Sequence, residues 1–182
     1  MSLRDLIIGY LLYFLFPLWL VAGIADYVCH RRTSIEYTSG RRESALHVVQ
    51  AAEIAVPLLA GLFLEINALV IAVMIVFVIA HSLTAIWDAS YTAPRRYISP
   101  FEQHVHSHLE YIPIIAVSMI VLLYWQQLTS PSFEIRLKAR PIPARYTVVV
   151  LGSILAFQAS LLLEELLRTL RRPGRADVPH QR

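Results

Sequence analysis

The chain has 182 residues, 57% of them hydrophobic, with a formal net charge of +3 and a mean hydropathy of +0.55. Soluble domains are close to half apolar, whereas several apolar runs here reach the roughly 20 residues that cross a bilayer core. The composition therefore excludes a soluble domain and indicates an integral membrane protein. The single cysteine, Cys29, excludes an intramolecular disulfide and a dithiol redox mechanism.

Five apolar stretches predict five transmembrane helices, because a backbone surrounded by lipid must satisfy its hydrogen bonds internally. They run from Leu6 to Tyr27, Ser44 to Leu64, Ala68 to Asp88, Leu109 to Trp125 and Thr147 to Leu163. We predict an all-α integral membrane protein with one transmembrane domain over residues 1–170 and a basic, disordered tail over residues 171–182. Residues 132–143 alternate apolar and charged side chains, which predicts a strand-like segment at the membrane interface.

The basic residues predict the orientation of the bundle. Of the 16 lysines and arginines, 11 lie in segments that an odd number of spans places on one side, and 5 lie on the other. The positive-inside rule makes the richer side cytoplasmic, with the N-terminus outside and the C-terminus inside. Arginines beside apolar runs also account for the net positive charge, so we expect no nucleic-acid partner.

Six of the seven histidines fall at the predicted cytoplasmic ends of the first four spans, and carboxylates accompany them. Positions four apart lie about 40° apart on one helical face. This spacing pairs Asp26 with His30 in the first span and Glu43 with His47 in the second. A carboxylate and an imidazole on one face, repeated at a common depth, predict that the helices share a metal site.

The start of the fourth span, FEQHVHSHLEYIP over residues 101–113, is the densest part of this pattern. Glu102, His106 and Glu110 are four apart and share a face, whereas His104 and His108 point about 160° away from His106. We assign the ligands to the His106 face, because the carboxylates lie there. If the opposite face points to the metal site, His104 and His108 are the pair of ligands from this span. Glu102 also completes a helix-capping box with a preceding serine and proline, which is an alternative role.

Nine residues make up the predicted metal-ligand set: Asp26, His30, Glu43, His47, His81, Asp88, Glu102, His106 and Glu110. Five more are candidate ligands or hydrogen-bond partners of ligands: Gln50, Glu53, Thr84, His104 and His108. Arg95 and Arg96 are predicted to contact lipid headgroups or to steer an anionic headgroup towards the site. Glu164 and Glu165 follow the fifth span, and Arg168, four residues after Glu164, predicts an ordinary surface ion pair.

Imidazoles and carboxylates without thiolates favour iron, manganese or zinc. Helix bundles build di-metal centres from inward-facing Glu and His residues, and the surplus of candidates favours two ions. We therefore predict two iron ions that activate oxygen to oxidise a hydrophobic substrate held between the helices. Such chemistry also requires an electron donor.

The arrangement over residues 26–110 resembles the membrane-bound histidine-box enzymes, the fatty-acid hydroxylases and desaturases. The resemblance implies two metal ions at the cytoplasmic ends of the spans and a hydroxylase- or desaturase-like activity on a lipid. The HxxHH boxes of that family are absent from this sequence, as is the doubled ExxH motif of soluble ferritin-like di-iron proteins.

Several alternatives remain open on the sequence. A zinc-dependent membrane hydrolase would use histidines and an aspartate to activate water on a lipid amide or ester, although HExxH is missing. A b-type haem subunit would use two histidines and leave the carboxylates unexplained. A metal transporter would require polar groups along the whole membrane depth, and an accessory subunit would require no chemistry. The five-span layout is compatible with a homodimer.

Overall fold

The computed structural model describes residues 1–129 and 132–172. Five helices are long and apolar enough to cross a membrane: α1 (Leu3–Thr33), α2 (Gly40–Phe63), α3 (Ala68–Thr92), α4 (Pro100–Leu123) and α5 (Ala144–Arg171). This confirms the prediction of an all-α chain with five membrane-length helices. Every helix extends beyond its apolar run at one end or both, because capping and polar residues continue the helix past the hydrophobic stretch. The rest of the predicted tail, residues 173–182, lies outside the described residues.

The helices α1 and α5 each contain one wider turn of π-helix, Leu11–Leu15 in α1 and Ile154–Ala159 in α5. The first turn of α1 is fixed by a capping box, in which Ser2 and Asp5 exchange side-chain and backbone hydrogen bonds. A turn with Ile35–Tyr37 in 3₁₀ conformation joins α1 to α2. Gly40 has a φ of 66° where α2 begins, a left-handed conformation that favours glycine.

The tight hairpin between α2 and α3 is held by the segment that the sequence predicted to be strand-like. Among the described residues that segment forms a single isolated bridge, Leu64 to Leu137, and no strand. Asn67 caps α3 by accepting a hydrogen bond from the Val70 amide, and its own side-chain amide donates to the Glu134 carbonyl. The segment therefore covers the end of the hairpin without extending a sheet.

An apolar core fills the half of the bundle beside this hairpin. It is centred on α3, where Ile71 and Met74 are almost fully buried and pack with Val117 of α4. The helices α2 and α4 contain Pro57 and Pro113; each proline removes the amide that would bond the carbonyl four residues earlier.

The polar side chains gather at the opposite end of the bundle. There the C-terminal ends of α1, α3 and α5 meet the N-terminal ends of α2 and α4, because the helices alternate in direction. The helix α2 packs along α3, α1 packs along α4, and α5 closes against α2 and α1. All five helices therefore supply residues to one buried polar region.

Candidate metal centre

Two stacked imidazoles lie at the middle of the polar region. The rings of His30 and His47 are parallel, with centroids 4.5 Å apart. The carboxylate of Glu165 bonds the Nδ1 atoms of both rings, at 2.9 Å for His30 and 2.7 Å for His47. Each Nε2 atom consequently points away from Glu165, and neither finds a hydrogen-bond partner among the described residues.

One group of potential ligands surrounds the Nε2 atom of His30. Asp26, His30, Glu102 and His106 each present one nitrogen or oxygen atom, and these four atoms lie within 4.8 Å of one another. Asp26 Oδ1 lies 3.5 Å from His30 Nε2 and 2.8 Å from His106 Nε2, and Glu102 Oε1 lies 3.7 Å from His30 Nε2. Two helices, α1 and α4, thus supply a mixed imidazole and carboxylate set.

A second group lies beside the first. His30, Glu43 and His47 present ligand atoms within the same 4.8 Å, and Asp88 Oδ2 of α3 is 3.3 Å from His47 Nε2. Gln50 donates to the same Asp88 Oδ2 atom at 3.2 Å, which holds that carboxylate beside His47. The structure therefore brings together seven of the nine predicted ligands, Asp26, His30, Glu43, His47, Asp88, Glu102 and His106, which we call the cluster.

Arg96 lies inside the cluster, where the sequence predicted a headgroup contact. The side chain is buried, and its Nη2 atom is 2.6 Å from Glu43 Oε1 and 2.6 Å from Glu102 Oε1. Burial opposes the charged form, but the hydrogen bonds to these two carboxylates raise the pKa of Arg96 above its ordinary value. Arg95 remains exposed and stacks on the ring of Tyr91, so of the two arginines predicted to contact headgroups only Arg95 lies at the surface.

The cluster is strongly acidic. Together with Glu165 it holds five carboxylates and one guanidinium, that of Arg96, which bonds two of the five; the carboxylates are those of Asp26, Glu43, Asp88, Glu102 and Glu165. With neutral imidazoles, four negative charges are left without a fixed cation. Uncompensated charges are costly to bury, so the cluster requires either protonation of its imidazoles and carboxylates or cations.

Three residues predicted as ligands or their neighbours form a separate group deeper in the bundle. Glu53 accepts a hydrogen bond from Thr84 at 2.9 Å, and its other oxygen lies 3.8 Å from His81 Nδ1. That oxygen and that nitrogen are buried and have no hydrogen-bond partner in the described part of the chain. His81 joins neither group of ligand atoms, because its position on α3 is two turns before Asp88, towards the middle of the helix.

The remaining predicted residues lie outside the cluster. Glu110 belongs to neither ligand group. His104 and His108 contact each other, with ring centroids 4.7 Å apart, and His108 Nδ1 lies 2.8 Å from the His104 carbonyl. Ser99 caps α4 by accepting from the Glu102 amide at 3.1 Å, whereas the Glu102 carboxylate faces Arg96, so the carboxylate is free of the capping role proposed for it.

Sequence reasoning missed Glu165, which it assigned with Glu164 to the protein surface. The pair of Glu164 with Arg168 is present at 3.2 Å, but Glu165 on the other side of α5 is only 2% exposed. Arg168 also pairs with Glu36 beyond the end of α1. These contacts fix the rotation of α5, and Ser44 donates to Glu165 Oε1 at 3.1 Å. The sequence did contain a signal: the helical pattern continues past Leu163, to Arg171. On that continued helix the side chain of Glu165 faces the interior of the bundle.

Two adjoining cavities lie in the bundle, and one of them reaches the cluster. The first, of about 370 Å³, reaches Asp26, His30, His47 and His81 and is otherwise mostly apolar; we call it the cluster chamber. The second, of about 240 Å³, is lined almost entirely by apolar side chains and reaches Lys138; we call it the apolar chamber. Trp19, Ile54 and Leu58 line both chambers, so the two spaces adjoin midway along α2.

Comparison with protein-family models, curated proteins and solved structures finds no match to this chain. The class of protein is therefore defined by the fold and the site alone: an all-helical chain with five membrane-length helices that enclose a buried cluster of histidines and carboxylates.

Proposed function

We propose that the cluster binds metal ions and that the protein is a membrane-embedded, metal-dependent oxidoreductase acting with O₂ on a lipid or another hydrophobic substrate. The observation that carries this proposal is the pair of imidazoles fixed by Glu165. A carboxylate that bonds the rear nitrogen of a histidine sets its tautomer and orients the other nitrogen, as is usual for metal-bound histidines. His30 and His47 share one such carboxylate and direct two buried Nε2 atoms into the cluster.

Two ions fit the cluster better than one. The two ligand groups both include His30, and a single Nε2 atom binds one ion, so His47 is left to the second ion together with Glu43 and Asp88. Four negative charges that Arg96 leaves uncompensated would be balanced by two divalent cations. Glu102 would help to hold the first ion and Glu43 the second, and Arg96 Nη2 keeps the two carboxylates side by side.

The donor types favour iron. Imidazole and carboxylate ligands suit iron, manganese and zinc, and histidine–carboxylate sites with open positions are typical of iron proteins that use O₂. Bound iron would supply the activation of O₂, and an electron donor would be its partner. The protein supplies the ligands, the fixed orientation of His30 and His47 by Glu165, and the charge of Arg96, which holds Glu43 and Glu102 together.

The cluster chamber supports a hydrophobic substrate. It places Trp19, Leu58 and Leu151 in the same cavity as His47, so an apolar molecule can approach the ligands without crossing water. We assign the cluster to the cytoplasmic side, because 9 of the 14 basic residues that the structure describes lie at that end of the bundle. Arg95 at that surface is the candidate contact for lipid headgroups.

Metal analysis of the purified protein tests the proposal. We expect about two iron ions per chain, lost in His47→Ala and in His106→Ala. His104→Ala is the matched control, because that histidine lies on the opposite face of the same helix as His106 and should retain the metal. A Soret band would replace the proposal by a haem protein, and colourless protein with zinc would replace it by a hydrolase. A folded, functional protein without metal would refute it.

A further inference from the structure

The two chambers lie end to end, with Trp19, Ile54 and Leu58 in the walls of both, and together they make a long, mostly apolar space whose two ends differ in charge. Along α2 the space extends from His47 in the cluster chamber to Gly61 in the apolar chamber, which is about 21 Å at a rise of about 1.5 Å per residue. A lipid chain in one leaflet spans about 15 Å, half the thickness of a bilayer core. The space is therefore long enough for one extended hydrocarbon chain.

Lys138 lies at the end of this space that is farthest from the cluster. Its ammonium donates to the carbonyls of Gly61 and, at 3.0 Å, Leu64, at the C-terminus of α2. An ammonium has three donors, so one is left for a ligand. No carboxylate pairs with Lys138 in the part of the chain that the structure describes, whereas it lines the apolar chamber. Burial lowers the pKa of Lys138, as expected for a cation that lacks an anionic partner.

The polar groups near Lys138 do not compete for this role. The hydroxyl of Tyr146 donates to the Leu12 carbonyl at 2.6 Å, and that of Tyr124 accepts from Arg4 at 2.8 Å. At the opposite end, the carboxylates outnumber the charge of Arg96, and two divalent cations would only balance them, so the cluster offers no net positive charge to an anion. The charges thus give the space a direction, with a cation at one end and an acidic group at the other.

We infer that the two chambers bind a single unbranched hydrocarbon chain with a terminal carboxylate, the carboxylate at Lys138 and the methyl end in the cluster chamber. The inference rests on the proposed function only for the reaction that follows binding. A lipid with two chains would leave its second chain outside this space, and a headgroup at the cluster would reverse the direction. The cluster would then act near the methyl end of the chain and away from its carboxylate.

Photo-cross-linking tests the position of the bound hydrocarbon chain. The probe is a linear carboxylic acid with a diazirine at its last carbon, added to the full-length protein in lipid nanodiscs. We expect adducts on residues that line only the cluster chamber, such as Ala55 and Leu151. Adducts confined to the lipid-facing side of α3, for example at Val76 and Ile79, would overturn the inference, as would adducts at the Lys138 end.

Variants of Lys138, at the carboxylate end of the hydrocarbon chain, strengthen the test. Lys138→Gln keeps hydrogen-bond donors for the two carbonyls but removes the charge, so labelling should require an about tenfold higher probe concentration. Lys138→Arg retains the charge and should remain closer to the parent protein. Equal labelling of Lys138→Gln and the parent protein, or equal labelling by the corresponding alcohol, would contradict a carboxylate at Lys138.

A blocked chamber provides a second readout. Ala116→Phe introduces a ring into the apolar chamber, and it should abolish labelling by long probes while retaining labelling by short ones. The matched control is Ile115→Phe on the exposed side of the same helix, where labelling should not change. Metal content is measured on each sample: failed labelling of a metal-containing protein sinks this inference alone, whereas labelling of a protein that never binds metal sinks the proposed function alone.

Discussion

The Nδ1 atom of His47 lies 2.7 Å from Oε1 of Glu165, although the two residues are 118 positions apart in the sequence. The same carboxylate bonds His30 at 2.9 Å, so one side chain of α5 orients imidazoles from α1 and α2. His30 is 1% and Glu165 2% exposed, and the side chain of His47 is 12% exposed. The fifth helix is thus part of the candidate site, although it contributes no residue to either ligand group.

Removal of the Glu165 carboxylate should weaken metal binding without removing a ligand. In Glu165→Ala, the rings of His30 and His47 lose the bond that fixes their orientation, and metal affinity should fall about 10- to 100-fold. A competition titration with a chromophoric chelator measures the change. Glu164→Ala is the control, because that carboxylate is half exposed and faces Arg31 and Arg168. Equal affinities of Glu165→Ala and the parent protein would rule out the orienting role.

Replacement of Arg96 should destabilise the fold more than replacement of its neighbour. In Arg96→Met, the buried carboxylates of Glu43 and Glu102 lose their common cation, and loss of one partner from a buried pair costs about 3–5 kcal/mol. Denaturant unfolding of the metal-free protein in detergent measures the free energy of unfolding. Arg95→Met should change the free energy of unfolding by less than about 1 kcal/mol, since exposed contacts contribute little. Similar losses in both variants would contradict the central position of Arg96.

His81 should not be needed for metal binding. It pairs with Glu53 across 3.8 Å and belongs to neither ligand group, so His81→Gln should keep the metal content of the parent protein, whereas His47→Ala should lose it. Elemental analysis of the two variants separates the cases. Loss of one ion in His81→Gln would return His81 to the ligand set that the sequence predicted. An unchanged metal content together with altered activity would place His81 on the wall of the cluster chamber as a contact of the substrate.

The sequence predicted the number of helices and much of the cluster for a physical reason. Apolar length decides whether a segment crosses a bilayer, and four-residue spacing decides which side chains share a helical face. Asp26 with His30 and Glu43 with His47 follow directly from these two rules. Their meeting at one end follows from the alternating direction of consecutive spans.

Other members of the site depend on information that a single helix does not contain. Glu165 lies beyond the apolar run of α5, and its inward direction depends on how far the helix continues and how α5 rotates against α2. Arg96 is in the segment that connects α3 to α4, where the spacing of residues on a helical face gives no prediction. Glu110 satisfies the spacing of His106 but lies one turn deeper, which shows that spacing gives the face of a helix and not the depth at which helices meet.

Removal of metal should destabilise the protein reversibly. The cluster and Glu165 together hold five carboxylates but one guanidinium, so without bound cations the carboxylates repel one another or take up protons. Binding to the folded state alone stabilises it by about 2.7 kcal/mol when the free ligand is at 100 times its dissociation constant. A chelator should therefore lower the melting temperature in detergent, and added iron should restore it.

The response to metal must come from the cluster and not from general ion binding. The variant that lacks two ligands, His47→Ala with His106→Ala, should melt at the same temperature with and without chelator, because it has no high-affinity ions to lose. His104→Ala should respond as the parent protein does. A parent protein whose melting temperature is unaffected by chelator and by added iron would indicate that protons, and not metal ions, balance the charges of Asp26, Glu43 and Glu102.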